Sequence, residues 1–287
     1  MVSSVWTDLT KEERMTLTDE LFDKYVKLIY RKTGIYYEYG KKYFVHKRIE
    51  KCAANRGIDS LNDYYGMLKF STDAAELDLL INELTINETY YFRDFPQLRN
   101  FAEEVLPIVD EKRQRKRKIK IWCAACSTGE EAYTLAIILR EMLEEYEKWD
   151  VEIFASDINT EVLNYAKTGL YDDRAIRDVP KIYLEKYFTM HNGKYLVNTE
   201  IRNPITFGRI NLMDEEQMRS VSYCDFIFCR NCLIYFDDES RKSVVSRFYN
   251  ALRPGGILFL GHSESVARIS SAFESRKIGD TIIYSKP

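Results

Sequence analysis

KIKIWCAACSTGEEAYTLAIILR, residues 118–140, passes from a short apolar run through small residues and a glycine into an amphipathic pattern. Ile119, Ile121 and Cys123 alternate with Lys118, Lys120 and Trp122 at the period of a strand, and Ala132, Leu135, Ala136 and Leu139 recur at the spacing of a helix. Between them Ala124, Ala125, Ser127 and Gly129 carry little side-chain bulk, so a ligand can lie against the backbone and the start of the helix. A strand, loop and helix in this order is where open α/β sheets bind nucleotides.

The dinucleotide pattern G-x-G-x-x-G and the phosphate loop G-x-x-x-x-G-K-[ST] are both absent. The loop runs instead into Glu130 and Glu131, which would repel a pyrophosphate yet suit an amine or ribose hydroxyls. Two acids here also favour the positive end of a helix dipole, and on this segment alone the two readings stand level. A second β-rich run, VEIFAS at 151–156, ends in Asp157 before another helical pattern. An acid closing the second strand is the usual ribose ligand of doubly wound folds. It is equally a helix N-cap, a role open to Asn159 and Thr160 as well.

A chain of 287 residues fits one large or two modest domains, at roughly 150 residues each. A net charge of -3 gives no signature of a nucleic-acid partner, so any electrostatic recognition is local. No run approaches the roughly 18 apolar residues of a membrane span, and MVSSVWTDLTKEER lacks a signal-peptide core; a cytoplasmic protein without membrane insertion is expected. Cys123-x-x-Cys126 and Cys229-x-x-Cys232 look like zinc pairs, but they sit in or beside apolar strand-like runs without Gly-rich knuckles, so buried free thiols and no metal are expected.

Along the chain, residues 17–85 read as consecutive helices, with Leu21, Tyr25, Leu28 and Ile29 on one face, then Leu61, Tyr64, Tyr65 and Leu68, then Leu77, Leu80, Ile81 and Leu84. A helical stretch over 96–109 leads into EKRQRKRKIK, read as a solvated connector. From 118 onward strands and helices alternate, which predicts a parallel sheet covered on both faces. Further strands are expected at 205–212, 224–230, 256–261 and 280–285, and helices at 239–252 and 266–274. Two alternating runs around Asn192-Gly193 read as an inserted hairpin over 183–203. The expected organisation is therefore a helical domain at 1–90, a linker helix and connector at 91–117, and an α/β domain at 118–287 that carries the hairpin.

Two polar blocks stand out: NETYYFRD at 87–94 and CRNCLIYFD at 229–237. The first also reads as a helix end followed by core aromatics, the second as an ordinary strand-to-helix turn. Taken with WCAACSTGEE at 122–131 and Asp157, they resemble the chemotaxis receptor glutamate methyltransferases, the CheR family, over nearly the whole chain. The matching patterns are N-x-T-x-F-F-R, W-x-A-A-x-S-T-G-E-E and R-N-x-x-I-Y-F. Tyr91 replaces a usual phenylalanine, Cys123 a frequent serine and Ala132 a common proline.

The resemblance implies a Rossmann-like class I methyltransferase sheet with an N-terminal all-α domain and a small inserted antiparallel β subdomain. It implies S-adenosylmethionine as cofactor and S-adenosylhomocysteine as product, with Asn87, Thr89, Arg93, Glu130, Asp157, Asn211, Leu212, Arg230 and Asn231 around the cofactor and Arg93 and Tyr235 nearest the transferred methyl. The implied substrates are the cytoplasmic methylation helices of chemoreceptors. A basic helix carrying Lys41, Lys42, Lys47, Arg48, Lys51 and Arg56 suits such glutamate-rich helices, although charge runs are commonly solvated faces that bind nothing. The hairpin tip is short, so no tether to a receptor C-terminal pentapeptide is expected, and the protein is expected to act as a monomer. Two other classes compete: a methyltransferase of a small molecule or RNA, which leaves the helical domain unexplained, and a non-catalytic binder of S-adenosylmethionine, which would not need Arg93 and Tyr235 together.

Overall fold

The computed structural model describes residues 10–71, 75–108, 117–266 and 269–287, and they fall into two compact units that divide between Ile86 and Asn87. Positions 111–116 of the basic run lie outside the described residues.

The first unit is all helical, with its longer helices at Asp19–Thr33, Lys42–Asn55, Leu61–Phe70 and Ala75–Leu84. Local chemistry sets their ends: Thr18 and Ser60 accept backbone N–H groups at two N-termini, and Gly34, at φ 70°, closes the first helix in the left-handed region. The apolar faces meet in one core that includes Leu21, Tyr25, Ile29, Leu61, Tyr64, Leu68, Leu80 and Leu84, with Leu28, Tyr65 and Leu77 packed at its margin. Its buried hydroxyls are satisfied, Tyr25 donating to the Leu61 carbonyl at 2.7 Å and Tyr64 to Glu76 at 2.8 Å.

The second unit is built on a seven-stranded sheet. Its strands are β1 (Lys118–Ala124), β2 (Asp150–Asp157), β6 (Ile205–Arg209), β7 (Cys224–Cys229), β8 (Leu252–Leu260), β9 (Glu274–Ile278) and β10 (Thr281–Ser285), in the order β6-β2-β1-β7-β8-β10-β9. The first five run parallel; β10 pairs antiparallel with β8, and β9 with β10. Three remaining strands, β3 (Leu170–Tyr171), β4 (Phe188–His191) and β5 (Lys194–Val197), form a separate small sheet in the order β3-β5-β4, whose hairpin turns at Asn192-Gly193. This is the Rossmann-like class I methyltransferase architecture with an all-α N-terminal unit and a small antiparallel insertion.

Both sheet faces are buried. Ile119, Ile121 and Cys123 of β1, with Phe226, Phe228, Ile257 and Phe259, pack on the helix Glu130–Met142 and on the segment 98–106. The alternate positions Trp122, Ala124, Ile227, Leu258 and Leu260 pack on the helix Asp238–Ala251, where the Trp122 and Phe248 rings meet edge to face at 5.3 Å. Trp122 therefore faces a second core although it alternates with the isoleucines, because helices cover the sheet on both sides. Phe101 stands edge-on to Phe226, Phe228 and Phe259, with centroids 5.1, 5.2 and 5.5 Å away.

The C-terminal elements differ from the sequence expectation. Of the expected helix at 266–274, positions 267 and 268 lie outside the described residues, and 269–273 are not helical: the Ser270 hydroxyl accepts the Ala272 amide. A serine that bonds local backbone in this way competes with helix propagation. The chain goes on to the edge strand β9, whose sequence ESRKI is polar and exposed and so lacks the apolar alternation that would mark it. The sheet is accordingly mixed rather than wholly parallel.

Phe101→Ala should lower the unfolding free energy by about 3–5 kcal/mol, the range for an aromatic deleted from a core that cannot collapse. Urea unfolding followed by tryptophan fluorescence measures it, and a loss below about 1 kcal/mol would contradict the packing described.

Candidate functional site

The chain leaves β1 toward β2 and β6 on one side, and β7 and β8 lie on the other, so strand order reverses between β1 and β7. A crevice outside the carboxyl ends of such strands is where open α/β sheets take ligands. Glu130 follows β1, Asp157 ends β2, Asn211 and Leu212 follow β6, and Arg230 and Asn231 follow β7. Register makes these ends neighbours, since Ala124 pairs with Ser156, Asp157 with Arg209, and Cys123 with Phe228.

The loop after β1 is tightly wound: Ala125 and Ser127 have φ 60° and 50°, and Gly129 has φ 94°. A Cβ on Gly129 would come within 2.9 Å of the Ala166 Cβ and 3.2 Å of the Tyr171 hydroxyl, so only glycine fits where the loop turns into the helix. The loop is tied down by the Ser127 hydroxyl donating to the Asn87 carbonyl at 2.9 Å, and by Tyr171 donating to the Thr128 carbonyl at 2.6 Å.

The two adjacent glutamates separate into different roles. Glu130 is buried at the helix start, where it accepts the Thr128 hydroxyl at 2.7 Å; burial pushes its carboxyl up to about 7, with the Thr128 bond and its own amide acting against the rise. Glu131 turns to the other side, pairing with Arg230 at 2.7 Å and accepting the Cys123 thiol at 3.1 Å. Asp157 is buried and accepts the Asn159 amide at 2.9 Å and the Ser127 amide at 2.8 Å; burial raises its pKa, and these amides oppose the rise. It is not the cap of the following helix, a position held by Asn159, whose side chain accepts the Glu161 and Val162 amides. The two oxygens of Asp157 offer about four lone-pair sites, so acceptor capacity remains beyond its backbone amide bonds.

Arg230 is almost wholly buried, and its guanidinium reaches Glu131, Asp94 at 2.9 Å and the Arg93 carbonyl at 2.6 Å. Burial works against its charge, but the Glu131 and Asp94 carboxylates more than offset this and its pKa rises. Arg230 Nε is buried with no hydrogen-bond partner. Arg93 is half-buried, donates to the Glu88 carbonyl at 2.7 Å and lies over the Tyr90 ring. Tyr235 ends the single-turn helix Leu233–Tyr235; burial and nearby Cys232 raise its hydroxyl, and the charge of Arg93 draws it down. Thr89 is half-buried in the same segment. Asn211 accepts the Met213 amide at 3.0 Å, and the Leu212 carbonyl accepts Arg247 at 2.7 Å.

Lys41, Lys42, Lys47, Arg48 and Lys51 belong to the helical unit. Lys41 ends the short turn Tyr39–Lys41 and the others lie on Lys42–Asn55. Much of their charge is matched locally: Lys42 pairs with Asp19, Lys47 with Glu50 at 2.8 Å, and Arg48 and Lys51 both with Glu83 at 3.4 and 2.5 Å. Exposed pairs of this kind contribute roughly 0–1 kcal/mol, so a partner's carboxylate can exchange with them.

Sequence reasoning missed Glu264, which lies beyond β8 and accepts three backbone amides, from Gly261, Asn231 and Ile234. The signal was available, because GHSE at 261–264 is a polar run at the carboxyl end of a sheet strand beside the reversal. All six cysteines are free, five of them buried. Among the described residues, no group of three or more His, Cys, Asp or Glu is placed to hold a metal ion, and no helix is long and apolar enough to cross a membrane.

Two family descriptions match, "CheR methyltransferase, all-alpha domain" over residues 20–85 and "CheR methyltransferase, SAM binding domain" over residues 87–282. The chain is 40% identical over 274 residues to chemotaxis protein methyltransferase 2 of Vibrio cholerae serotype O1, covering 95% of each. It is 33% identical over 279 residues to the chemotaxis protein methyltransferase of Escherichia coli (strain K12), covering 96% of this chain and 93% of that one. Among solved structures, magnesium protoporphyrin IX methyltransferase from Synechocystis PCC 6803 with bound SAM aligns at TM-score 0.36 and 11% identity, over 76% of this chain and 86% of that one.

A carboxyl raised to about 7 by folding binds a proton that the unfolded chain, with a glutamate near 4.5, releases. Its contribution is fully present below about pH 4.5 and is lost as pH rises toward and through 7. The stability difference between wild type and Glu130→Gln should therefore shift against wild type by about 3 kcal/mol from pH 4.5 to 7. Urea titrations at several pH values check this; a difference independent of pH would mean Glu130 is ionised throughout.

Proposed function

The chain belongs to the CheR methyltransferase family, and from that premise we propose that it methylates glutamate side chains of chemoreceptors with S-adenosylmethionine, giving glutamate methyl esters and S-adenosylhomocysteine in chemotactic adaptation. The observation that carries this reading is the gathering of two buried carboxyls, Glu130 and Asp157, with Arg230, which anchors the Arg93 backbone, at the strand-order reversal.

The residues present fit such a cofactor. Small residues in the loop after β1 leave its backbone open to approach, and Asp157 and Glu130 have acceptor capacity for hydroxyls or an amino group. In our reading Asn87, Thr89, Arg93, Glu130, Asp157, Asn211, Leu212, Arg230 and Asn231 surround it, with Arg230 acting chiefly by holding the 93–94 backbone in place. When bound, S-adenosylmethionine supplies a methyl on a sulfonium, so transfer breaks a sulfur–carbon bond, forms an oxygen–carbon bond and cancels the opposite charges.

A substrate glutamate, with a reference pKa near 4.3, is ionised at neutral pH and needs no general base. What remains for the protein is alignment and exclusion of water. Arg93 orients the incoming carboxylate through a charge-assisted bond, and Tyr235 aligns it from the adjacent turn. Too tight a hold would stabilise the ground state, and the Glu88 carbonyl and Tyr90 ring already engage Arg93 and moderate its grip. We place the enzyme in the cytoplasm, acting as a monomer on the glutamate-bearing helices of receptors through Lys41, Lys42, Lys47, Arg48 and Lys51, and independent of a receptor pentapeptide tether.

Tritiated methyl from S-adenosylmethionine should appear on chemoreceptors in membranes and be released by mild alkali as methanol. Absence of transfer despite tight cofactor binding would reject this reading. Arg93→Ala and Tyr235→Phe should each lower kcat by about 10- to 100-fold. Lys47→Glu with Arg48→Glu should weaken methylation while leaving affinity for S-adenosylhomocysteine unchanged; undiminished methylation would remove the helix from the reading. Measurable calorimetric binding of a receptor C-terminal pentapeptide would overturn the absence of a tether.

A further inference from the structure

Glu264 has no part in the site as drawn so far, yet its carboxylate is the most heavily bonded in the neighbourhood of the β7 loop. One oxygen accepts the Gly261 amide at 2.7 Å and the Asn231 amide at 2.9 Å, and the other accepts the Ile234 amide at 3.2 Å. These donors come from two places: Gly261 ends the chain leaving β8, and Asn231 and Ile234 belong to the loop leaving β7. The carboxylate therefore bridges adjacent strand ends on the far side of the reversal. Burial raises its pKa and the amides oppose that rise.

The surrounding backbone is shaped to admit it. A Cβ on Gly261 would lie 2.7 Å from the Glu264 carboxylate and 2.8 Å from the Asn231 nitrogen, so a side chain there would occupy the bridge itself. Asn231 has φ 57°, a left-handed conformation that a non-glycine residue keeps only when its surroundings over-determine it. Its amide is fixed by Glu264, and three residues on, the turn that presents Tyr235 is fixed through the Ile234 amide.

We propose that Glu264 is a positioning residue of the methyl-transfer site, whose carboxylate clamps the 230–235 loop and so holds Asn231 and Tyr235 at the orientation each needs. The proposal rests on the reading above for what those two residues do; the clamp itself rests on the three bonds. Glu264→Gln replaces one acceptor oxygen with a donor that faces backbone donors, and Glu264→Asp keeps the charge on a shorter arm.

The test uses the full chain with Glu264→Gln, Tyr235→Phe and the double variant. In Glu264→Gln the Asn231, Ile234 and Gly261 amides should exchange hydrogen at least about tenfold faster, and S-adenosylhomocysteine affinity by calorimetry should fall about 3- to 10-fold. The kcat for receptor methylation should fall about 10- to 100-fold in the wild-type background and less than about threefold in the Tyr235→Phe background, because the two losses share one cause. A residue that only stabilises the fold would lower the thermal midpoint and multiply kcat by the same factor in both backgrounds, and that result overturns the proposal. Unchanged S-adenosylhomocysteine affinity also overturns it, even with faster exchange. If wild type methylates no receptor, the functional reading fails, while amide exchange and S-adenosylhomocysteine affinity still decide the clamp. Should Glu264→Gln not fold, Glu264→Asp carries the same measurements.

Discussion

The second unit depends on one buried cation. Arg230 stands at the end of β7, and its guanidinium ties two other pieces of chain to that strand: the helix after β1, through Glu131, and the start of the unit, through the Arg93 carbonyl and the Asp94 carboxylate. Burying a guanidinium is costly, and removing one partner of such a group costs about 3–5 kcal/mol because the other charge is left unpaired. The arrangement is therefore close to all-or-none. With both acids in place Asp94 can hold φ 55° and the chain can turn into the helix Phe95–Asn100; that turn sends Phe101 into the aromatic cluster of the sheet and leaves Arg93 near Tyr235. The ion network and the packing of Phe101 are thus two parts of one constraint on where residues 87–94 can lie.

This interaction also explains which features were legible in the sequence. Strand and helix periods were plain wherever an element is buried, as in β1, β7 and the helix Glu130–Met142. The strand ends followed from the pattern too, so Glu130, Asp157, Arg230 and Asn231 could be proposed as a group. Partnership was not legible. Two adjacent glutamates look alike in a sequence, and only the helical rotation of about 100° between neighbours sends Glu130 to Thr128 and Glu131 to Arg230. The cap reading of Asp157 was likewise a matter of geometry, since Asn159 takes that position. The C-terminal hairpin was missed because β9 is a polar edge strand without apolar alternation.

The basic helix was legible as charge but not as pairing. Asp19 and Glu83 lie on other helices, far in sequence from Lys42, Arg48 and Lys51, while Glu50 pairs with Lys47 within one helix, and each removes part of the field that the lysines and arginines would otherwise project. Electrostatic attraction for an acidic partner then comes from exchange of weak exposed pairs. That favours quick, reversible association with a preference for acidic surfaces over a tight fixed complex, and it makes binding sensitive to ionic strength.

A site proposed to methylate carboxylates contains carboxyl groups of its own, among them Asp157, Glu264, Glu131 and Glu130, and their surroundings explain why they need not compete with the substrate. Asp157 and Glu264 have backbone amides on both oxygens, Glu131 is held between Arg230 and a thiol, and Glu130 is buried with a pKa pushed to about 7. A lone pair engaged by a donor is a poorer nucleophile, and a protonated carboxyl poorer still. In the proposed reading an incoming glutamate would bring an unencumbered anion to Arg93, whose other contacts are a carbonyl and an aromatic face. The same hydrogen bonds that build the crevice thus separate structural carboxylates from reactive ones, and discrimination between self and substrate follows from where donors have already been spent.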